Sequence, residues 1–301
     1  MNAKAALLGS DVAAVRGRAS DYLALTKPRV VLMVLVTTLA GFYLGARGGL
    51  DLLLAFDLLI GTACAAGGTL ALNEYVERDA DALMLRTRHR PLPDGRMRPA
   101  EALAFAIVSS LAGFIILGFT TNWLCTALTA TITVIYLCAY TPLKRVSWIC
   151  DVVGAIPGAL PPMVGWAAAR GGLAPQAWLM FAIMFLWQLP HTFAVVRLYR
   201  TDYLRAGFRL LPADRPGGGN PLNAVVLGAS LALLAVGVAP TVLGYAGIVN
   251  GVVGAALGAA MLACAYATVR APNRASPARR LLFATLLYLP IMLLVMVLDK
   301  V

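Results

Sequence analysis

Runs of about 20 apolar residues, the length that crosses a bilayer as a helix, follow one another along most of this chain. They fall at about 29–46, 53–73, 101–120, 122–141, 150–169, 176–197, 222–240, 244–269 and 280–298. The pattern predicts nine transmembrane helices and no strands. Several runs contain Gly or Pro, such as Gly154, Pro157, Pro161 and Pro162 in the fifth. In a membrane these residues are tolerated where neighbouring helices cover the freed backbone groups, and small residues let helices approach closely.

Composition agrees with the pattern. Of 301 residues 60% are hydrophobic and 13% charged, and the mean hydropathy is +0.79. A soluble domain of this size needs more polar surface. No long polar insertion or low-complexity tract separates the runs, so residues 1–301 are read as a single all-α integral membrane domain. Residues 1–20 carry Lys4, Arg16 and Arg18 without the apolar core of a signal peptide, and read as a cytoplasmic arm. Cys64, Cys125, Cys138, Cys150 and Cys264 are scattered, with no CxxC; they read as small apolar residues without a redox or metal role.

Charge sets the orientation. With a cytoplasmic N-terminus, alternate loops should collect Lys and Arg. On the nine-span reading 22 of the 25 basic residues fall on the inner side, and only Arg47, Arg170 and Lys300 are left outside. The topology is therefore N-terminus in, C-terminus out. The net charge of +11 is largely this bias, and no basic stripe with interleaved aromatics calls for nucleic acid.

Two inner loops hold more than orientation requires. At the end of the second run stands Asn73-Glu74-Tyr75-Val76-Glu77-Arg78-Asp79-Ala80-Asp81. Asn73, Glu77 and Asp81 are spaced i, i+4, i+8, which on a helix puts them on one face. Such a column of oxygen ligands suits a hard divalent cation. Asp79 points away from the column, and Glu74 lies at an intermediate angle. Arg86, Arg88 and Arg90 follow, and arginines beside a carboxylate-held metal suit a diphosphate. The competing reading is a solvated loop with intrahelical salt bridges. It is disfavoured because acids are scarce in this chain and these sit at a membrane boundary. The other loop holds Trp187-Gln188-Leu189-Pro190-His191, then Arg197, Arg200, Asp202 and Tyr203, then Leu211-Pro212. His191 is either a hydrogen-bonded core residue or a ligand contact.

These residues resemble the UbiA-type intramembrane prenyltransferases. That family's Asn-Asp-x-x-Asp-x-x-x-Asp pattern falls on Asn73, Glu74, Glu77 and Asp81, followed by Arg86-Thr87 and Arg90-Pro91. Within the family the chain is most similar to the heme-farnesylating branch, through Leu25-Thr26-Lys27-Pro28-Arg29, Tyr140-Thr141-Pro142-Leu143-Lys144-Arg145, Gly158-Ala159-Leu160-Pro161-Pro162 and Trp187-Gln188-Leu189-Pro190-His191. It departs from the usual pattern at Glu77, Thr192 and Arg209.

The resemblance implies a helical bundle whose active-site cavity opens on the cytoplasmic side of a bacterial inner membrane. It implies farnesyl transfer from farnesyl diphosphate to protoheme IX with addition of water, giving heme O and diphosphate. Asn73, Glu77, Asp81 and Asp202 are then the catalytic and metal-holding set, with Mg2+ the expected ion and heme a substrate. Arg86, Arg90, Arg197 and Arg200 are cations for bound ligand, Lys144, Arg145 and Lys27 candidates for the heme propionates, and His191 a candidate heme contact. Membrane lipid surrounds the chain, and a downstream heme-modifying enzyme is a candidate partner. Rival readings are prenylation of an aromatic or quinone ring, and a transporter, which would place its charges nearer the bilayer midplane.

Overall fold

The computed structural model describes residues 17–210, 221–271 and 274–301. Lys4 and Arg16 of the arm, and Leu211, Pro212 and Arg215 of the second polar loop, lie outside them. Among the described residues there are nine helical spans and no strand, only an isolated antiparallel bridge between Ala246 and Lys300.

The spans are α1 (Pro28–Gly45), α2 (Leu52–Leu83), α3 (Pro99–Ile116), α4 (Trp123–Val134), a fifth built from α5 (Cys150–Ala159) and α6 (Pro161–Arg170), then α7 (Pro175–Leu198), α9 (Pro221–Val242), α10 (Ile248–Arg270) and α11 (Ala275–Leu298). A short α8 (Arg200–Arg205) follows α7. π-helical stretches extend α3 through Leu117–Thr121 and α4 through Ile135–Tyr140. The chain is a multi-pass membrane protein: its helices turn large apolar side chains such as Phe56, Phe119, Phe283 and Leu298 outward, a surface stable only in lipid.

Most span limits match the hydrophobic pattern; three differ for physical reasons. α2 runs on to Leu83, because its polar end is buried by neighbouring elements and continues the helix. The eighth span begins at Ile248, since Gly244 sits at φ 71° in a turn and Gly247 N–H donates to Asp299 O. The ninth begins at Ala275, where apolarity alone does not mark the first turn.

The fifth span is the most enclosed of the nine. It breaks at Leu160, where Pro161 and Pro162 start a new helix and lack the N–H groups that would continue the old one. α1 packs closely along α6, α2 along α3, and α9 against α7 and α10. The α1–α6 crossing depends on glycine: a Cβ at Gly41 would overlap the Pro162 carbonyl, and one at Gly165 the Thr38 carbonyl. One apolar core joins α7, α9, α10 and α11 through Ile183, Leu233, Met261 and Met292; another joins α1, α2 and α6 through Phe42, Leu58 and Val164.

The α1–α6 contact yields a test. Gly165→Leu should lower stability in detergent by about 1–3 kcal/mol or more through forced backbone separation. Gly228→Ala, with open space around its Cα, should stay within about 0.5 kcal/mol. Equal thermal unfolding of Gly165→Leu and the unsubstituted protein would contradict the packing.

Candidate active site

The polar residues converge where α2 ends. Asn73, Glu77 and Asp81 form the expected column on one face, all buried, while Asp79 points outward and is 85% exposed. Each member of the column has a partner from another segment. Asn73 Oδ1 accepts from Lys27 Nζ at 3.0 Å, and its Nδ2 donates to Thr141 Oγ1 at 3.1 Å. Glu77 takes both carboxylate bonds from Lys144 Nζ, at 2.8 and 3.0 Å. Asp81 Oδ2 meets Arg90 Nη1 at 2.6 Å.

Glu74 is the exception. It is 0% exposed, yet neither carboxylate oxygen has a hydrogen-bond partner. Arg90 Nε is the nearest cation, at 3.9 Å from Oε2. A buried carboxylate without partners is costly, and Glu74 stands open to a cation. The helical angle alone ranked it behind the column, because angle does not reveal what α1 and the 84–98 loop bring over it.

The cations come from strained or capped backbone. Lys27 caps α1 at φ 51°, ψ 65°, a left-handed conformation rare for a side-chain-bearing residue. Pro28 then starts the helix and holds Lys27 over α2. Burial, reinforced by the Arg90 charge, pulls the Lys27 ammonium down to about 8. Lys144 follows the π-helical end of α4 and lies 4.4 Å from the centre of the Tyr140 ring. Thr87 Oγ1 donates to the Asp81 carbonyl at 2.9 Å, tying the arginine loop to the helix end.

The second polar loop borders this network without entering it. α7 stops at Leu198 and α8 begins at Arg200, so the helix carrying His191 does not continue to Asp202. Asp202 is buried and faces Arg205 at 3.5 Å. The bridge between the loops is Arg86, which lies over the Tyr199 and Tyr203 rings and donates to Tyr203 Oη at 3.4 Å. Arg197 donates to Asn223 at 3.2 Å and covers Phe193. Arg145 and Arg200 are exposed at the same end. Asp151, in the first turn of α5, is a buried acid that the sequence reading did not single out. Its Oδ2 has no partner, and it lies within electrostatic reach of Lys144. The one signal for it is an acid opening an otherwise apolar run.

His191 sits deeper. Its ring stacks on Trp187 at 5.0 Å, and Nδ1 lies 2.9 Å from Thr285 Oγ1. The Thr285 hydroxyl gives its hydrogen to Leu282 O at 2.6 Å, so it accepts from Nδ1–H. This assignment of the tautomer leaves the Nε2 lone pair free.

The donor set fits a divalent cation, with carboxylate and amide oxygens on one face and an orphaned buried carboxylate beside them. Among the described residues no three acidic, His or Cys side chains are gathered at ligand distance, because Lys144 and Arg90 hold Glu77 and Asp81 as ion pairs. An apolar cavity of 100 Å³ lies one turn further into the bundle. It is lined by Val34, Thr69, Leu70, Tyr136, Pro157 and Val164, and Leu70 precedes Asn73 by three residues.

Comparison with known proteins follows the same lines. Residues 34–287 match the model of the UbiA prenyltransferase family. The protoheme IX farnesyltransferase of Solibacter usitatus is 39% identical over 93% of this chain and 98% of its own length. That of Bradyrhizobium sp. is 41% identical over 89% and 86%. A digeranylgeranylglyceryl phosphate synthase structure superposes with a TM-score of 0.79 at 14% identity, over 94% of this chain and 98% of that one. A UbiA homolog from Archaeoglobus fulgidus bound to GPP and Mg2+ gives 0.62 at 18%, over 92% and 99%. With its bundle, its buried acidic column and relatives matched over nearly their whole length, the chain belongs to the UbiA prenyltransferase family.

Proposed function

We propose that this chain transfers the farnesyl group of farnesyl diphosphate to a vinyl group of protoheme IX, with water adding to the product, to give heme O and diphosphate. The observation that carries the reading is the meeting of a buried Asn73–Glu77–Asp81 face, a Glu74 without hydrogen-bond partners and three cations, one helical turn from an apolar cavity. An amphiphile with an anionic head at the polar network and the start of its hydrocarbon tail in the cavity suits that arrangement. The heme acceptor is supported by the relatives named above.

Asn73, Glu74, Glu77 and Asp81 would hold a divalent metal, with Asp202 on the adjoining helix. Mg2+ is the ion present in the Archaeoglobus homolog. When bound it would supply positive charge that stabilises the leaving diphosphate. Lys27, Arg90 and Lys144 bind and orient the diphosphate. Their present pairing with Asn73 and the acids keeps them in place before substrate arrives. Loss of diphosphate leaves an allylic cation, whose carbon bonds to the vinyl group. Water adds to the resulting carbocation and gives up a proton. The apolar cavity walls exclude water from the first cation, and the ring faces of Tyr136 and Tyr140 nearby favour positive charge. Arg145 with Lys144 is suited to the propionates, and Arg86, Arg197 and Arg200 add positive charge at the same end. The orientation proposed is a bacterial inner membrane with this end cytoplasmic.

Expression in cells that lack heme O should restore it, as read by chromatography of extracted hemes. Asp81→Ala should lower that product by about 100-fold or more, while outward-pointing Asp79→Ala should leave most of it. The reverse ranking, or full turnover by purified protein in excess chelator, would sink the metal-and-diphosphate reading.

The free Nε2 of His191 suits contact with the heme iron or macrocycle. His191→Ala should keep the fold and farnesyl diphosphate binding but weaken heme binding and alter the Soret band. An unchanged heme titration would return His191 to a packing role with Thr285. For orientation, cysteines introduced near Gly172 and Thr121 on a background without native cysteines should react with an impermeant reagent from outside, and one near Gly95 should not. Reversed labelling would place the site on the opposite face.

A further inference from the structure

The charge partition leaves three basic residues at the end of the bundle opposite the acidic network: Arg47, Arg170 and Lys300. Two of them, Arg170 and Lys300, line one cavity of 130 Å³, together with Trp166, Gln176, Tyr245 and Met296. The cavity joins the ends of α1, α6, α9 and α11 with the start of α7.

Part of the cationic capacity is spent on the end of α1. Arg170 Nε donates to the Gly45 carbonyl, and Lys300 Nζ donates to the Tyr43 and Ala46 carbonyls at 2.9 and 2.8 Å. These bonds complement the negative end of the helix. A guanidinium has five N–H donors and an ammonium three, so most of Arg170 and one hydrogen of Lys300 remain. Among the described residues neither cation has an acidic partner. The nearby acids are engaged elsewhere, Asp51 with Leu54 N–H at 2.9 Å and Asp299 with Asn250 N–H at 2.7 Å. Burial and the Arg170 charge together push the Lys300 ammonium below its ordinary value. Trp166, 3% exposed, adds an indole N–H that has no acceptor. Two cations without acidic partners thus line one cavity, and its wall includes a tryptophan whose buried indole N–H has no acceptor.

We propose that this cavity binds the phosphate head of an anionic phospholipid, with Arg170, Lys300 and the Trp166 N–H as donors and the acyl chains lying along the outer faces of the helices. Size favours a head group. At 130 Å³ the cavity admits a phosphate and its ester oxygens, and it falls short of the ~300 Å³ at which pockets begin to enclose whole drug-sized ligands. A porphyrin macrocycle does not fit. The bound lipid would supply the charge that the fold withholds and clamp the chain after α11 to the end of α1.

The test uses the full chain purified in neutral detergent, with dioleoyl phosphatidylglycerol as probe and dioleoylglycerol as its phosphate-free counterpart. Native mass spectrometry should show one retained phosphatidylglycerol, accompanied by a higher unfolding temperature, and no comparable retention of dioleoylglycerol. The Arg170→Gln/Lys300→Gln double variant should hold the phospholipid about tenfold or more weakly, as loss of charge-assisted bonds implies. Trp166→Phe keeps the packing and removes only the N–H; it should also weaken retention, and it carries the test if the double variant fails to fold. Equal retention by the unsubstituted protein and Trp166→Phe would overturn the proposal, as would equal retention of the two lipids. Stabilisation by inorganic phosphate alone, with no gain from the acyl chains, would overturn the lipid assignment.

Discussion

Three carboxylates buried at one end of an apolar bundle impose the constraint from which the rest of the site follows. An unpaired buried charge costs several kcal/mol after relaxation, and inside a membrane no bulk water stands by to offset it. Glu77 and Asp81 are held only because Lys144 and Arg90 come to them from other segments. Meeting that demand brings the α4–α5 connection and the 84–98 loop onto α2, and Lys27 adds the start of α1 through Asn73. The electrostatics of three acids therefore fix the relative placement of several helix ends.

Local geometry at each donor reflects the same demand. Lys27 accepts a left-handed backbone, which strains the chain by about 1–3 kcal/mol, and its ammonium is buried at the cost of some of its basicity. The end of α4 is wound as a π-helix, a form that collects at functional positions. There the Tyr136 carbonyl accepts the Thr141 N–H, five residues on, together with the Thr141 hydroxyl at 2.8 Å, and Thr141 in turn receives the Asn73 amide.

Much of this was legible in the order of residues. Hydrophobic length alone located nine spans, because a bilayer demands it, and the i, i+4, i+8 spacing placed Asn73, Glu77 and Asp81 on one face with Asp79 outside it. What spacing could not supply was the partner of each acid. Lys144 stands 67 residues from Glu77, and nothing near either names the other. Asp202 is equivalent to the column in chemistry, but spacing does not reveal that the break at Tyr199 puts it on a separate short helix, where it pairs with Arg205. Glu74 and Asp151 were under-read for a related reason: their importance lies in buried carboxylate oxygens left without hydrogen-bond partners, a property of the packed bundle and of no local pattern. The turn at Gly244 was hidden because Gly, Tyr and Ala read as apolar in sequence and as a bend only once Asp299 binds Gly247.

The balance of charge explains why such a network is worth its cost in the proposed reaction. Lys27, Arg90 and Lys144 can contribute three positive charges and Glu74, Glu77 and Asp81 three negative ones, so the network is close to neutral as it stands. In the proposed reaction a metal and a diphosphate entering together would change that sum little but would exchange the partners: the acids would serve the ion, and Lys27, Arg90 and Lys144 would be left to bind the diphosphate. Glu77 and Asp81 would stay paired on both sides of that exchange, so the desolvation already incurred on folding would not be incurred again at binding. A site of exposed acids and flexible lysines would have to order and dehydrate them for every substrate. Glu74 is the group that makes the exchange directional: without a hydrogen bond to surrender, it gains outright when a cation arrives.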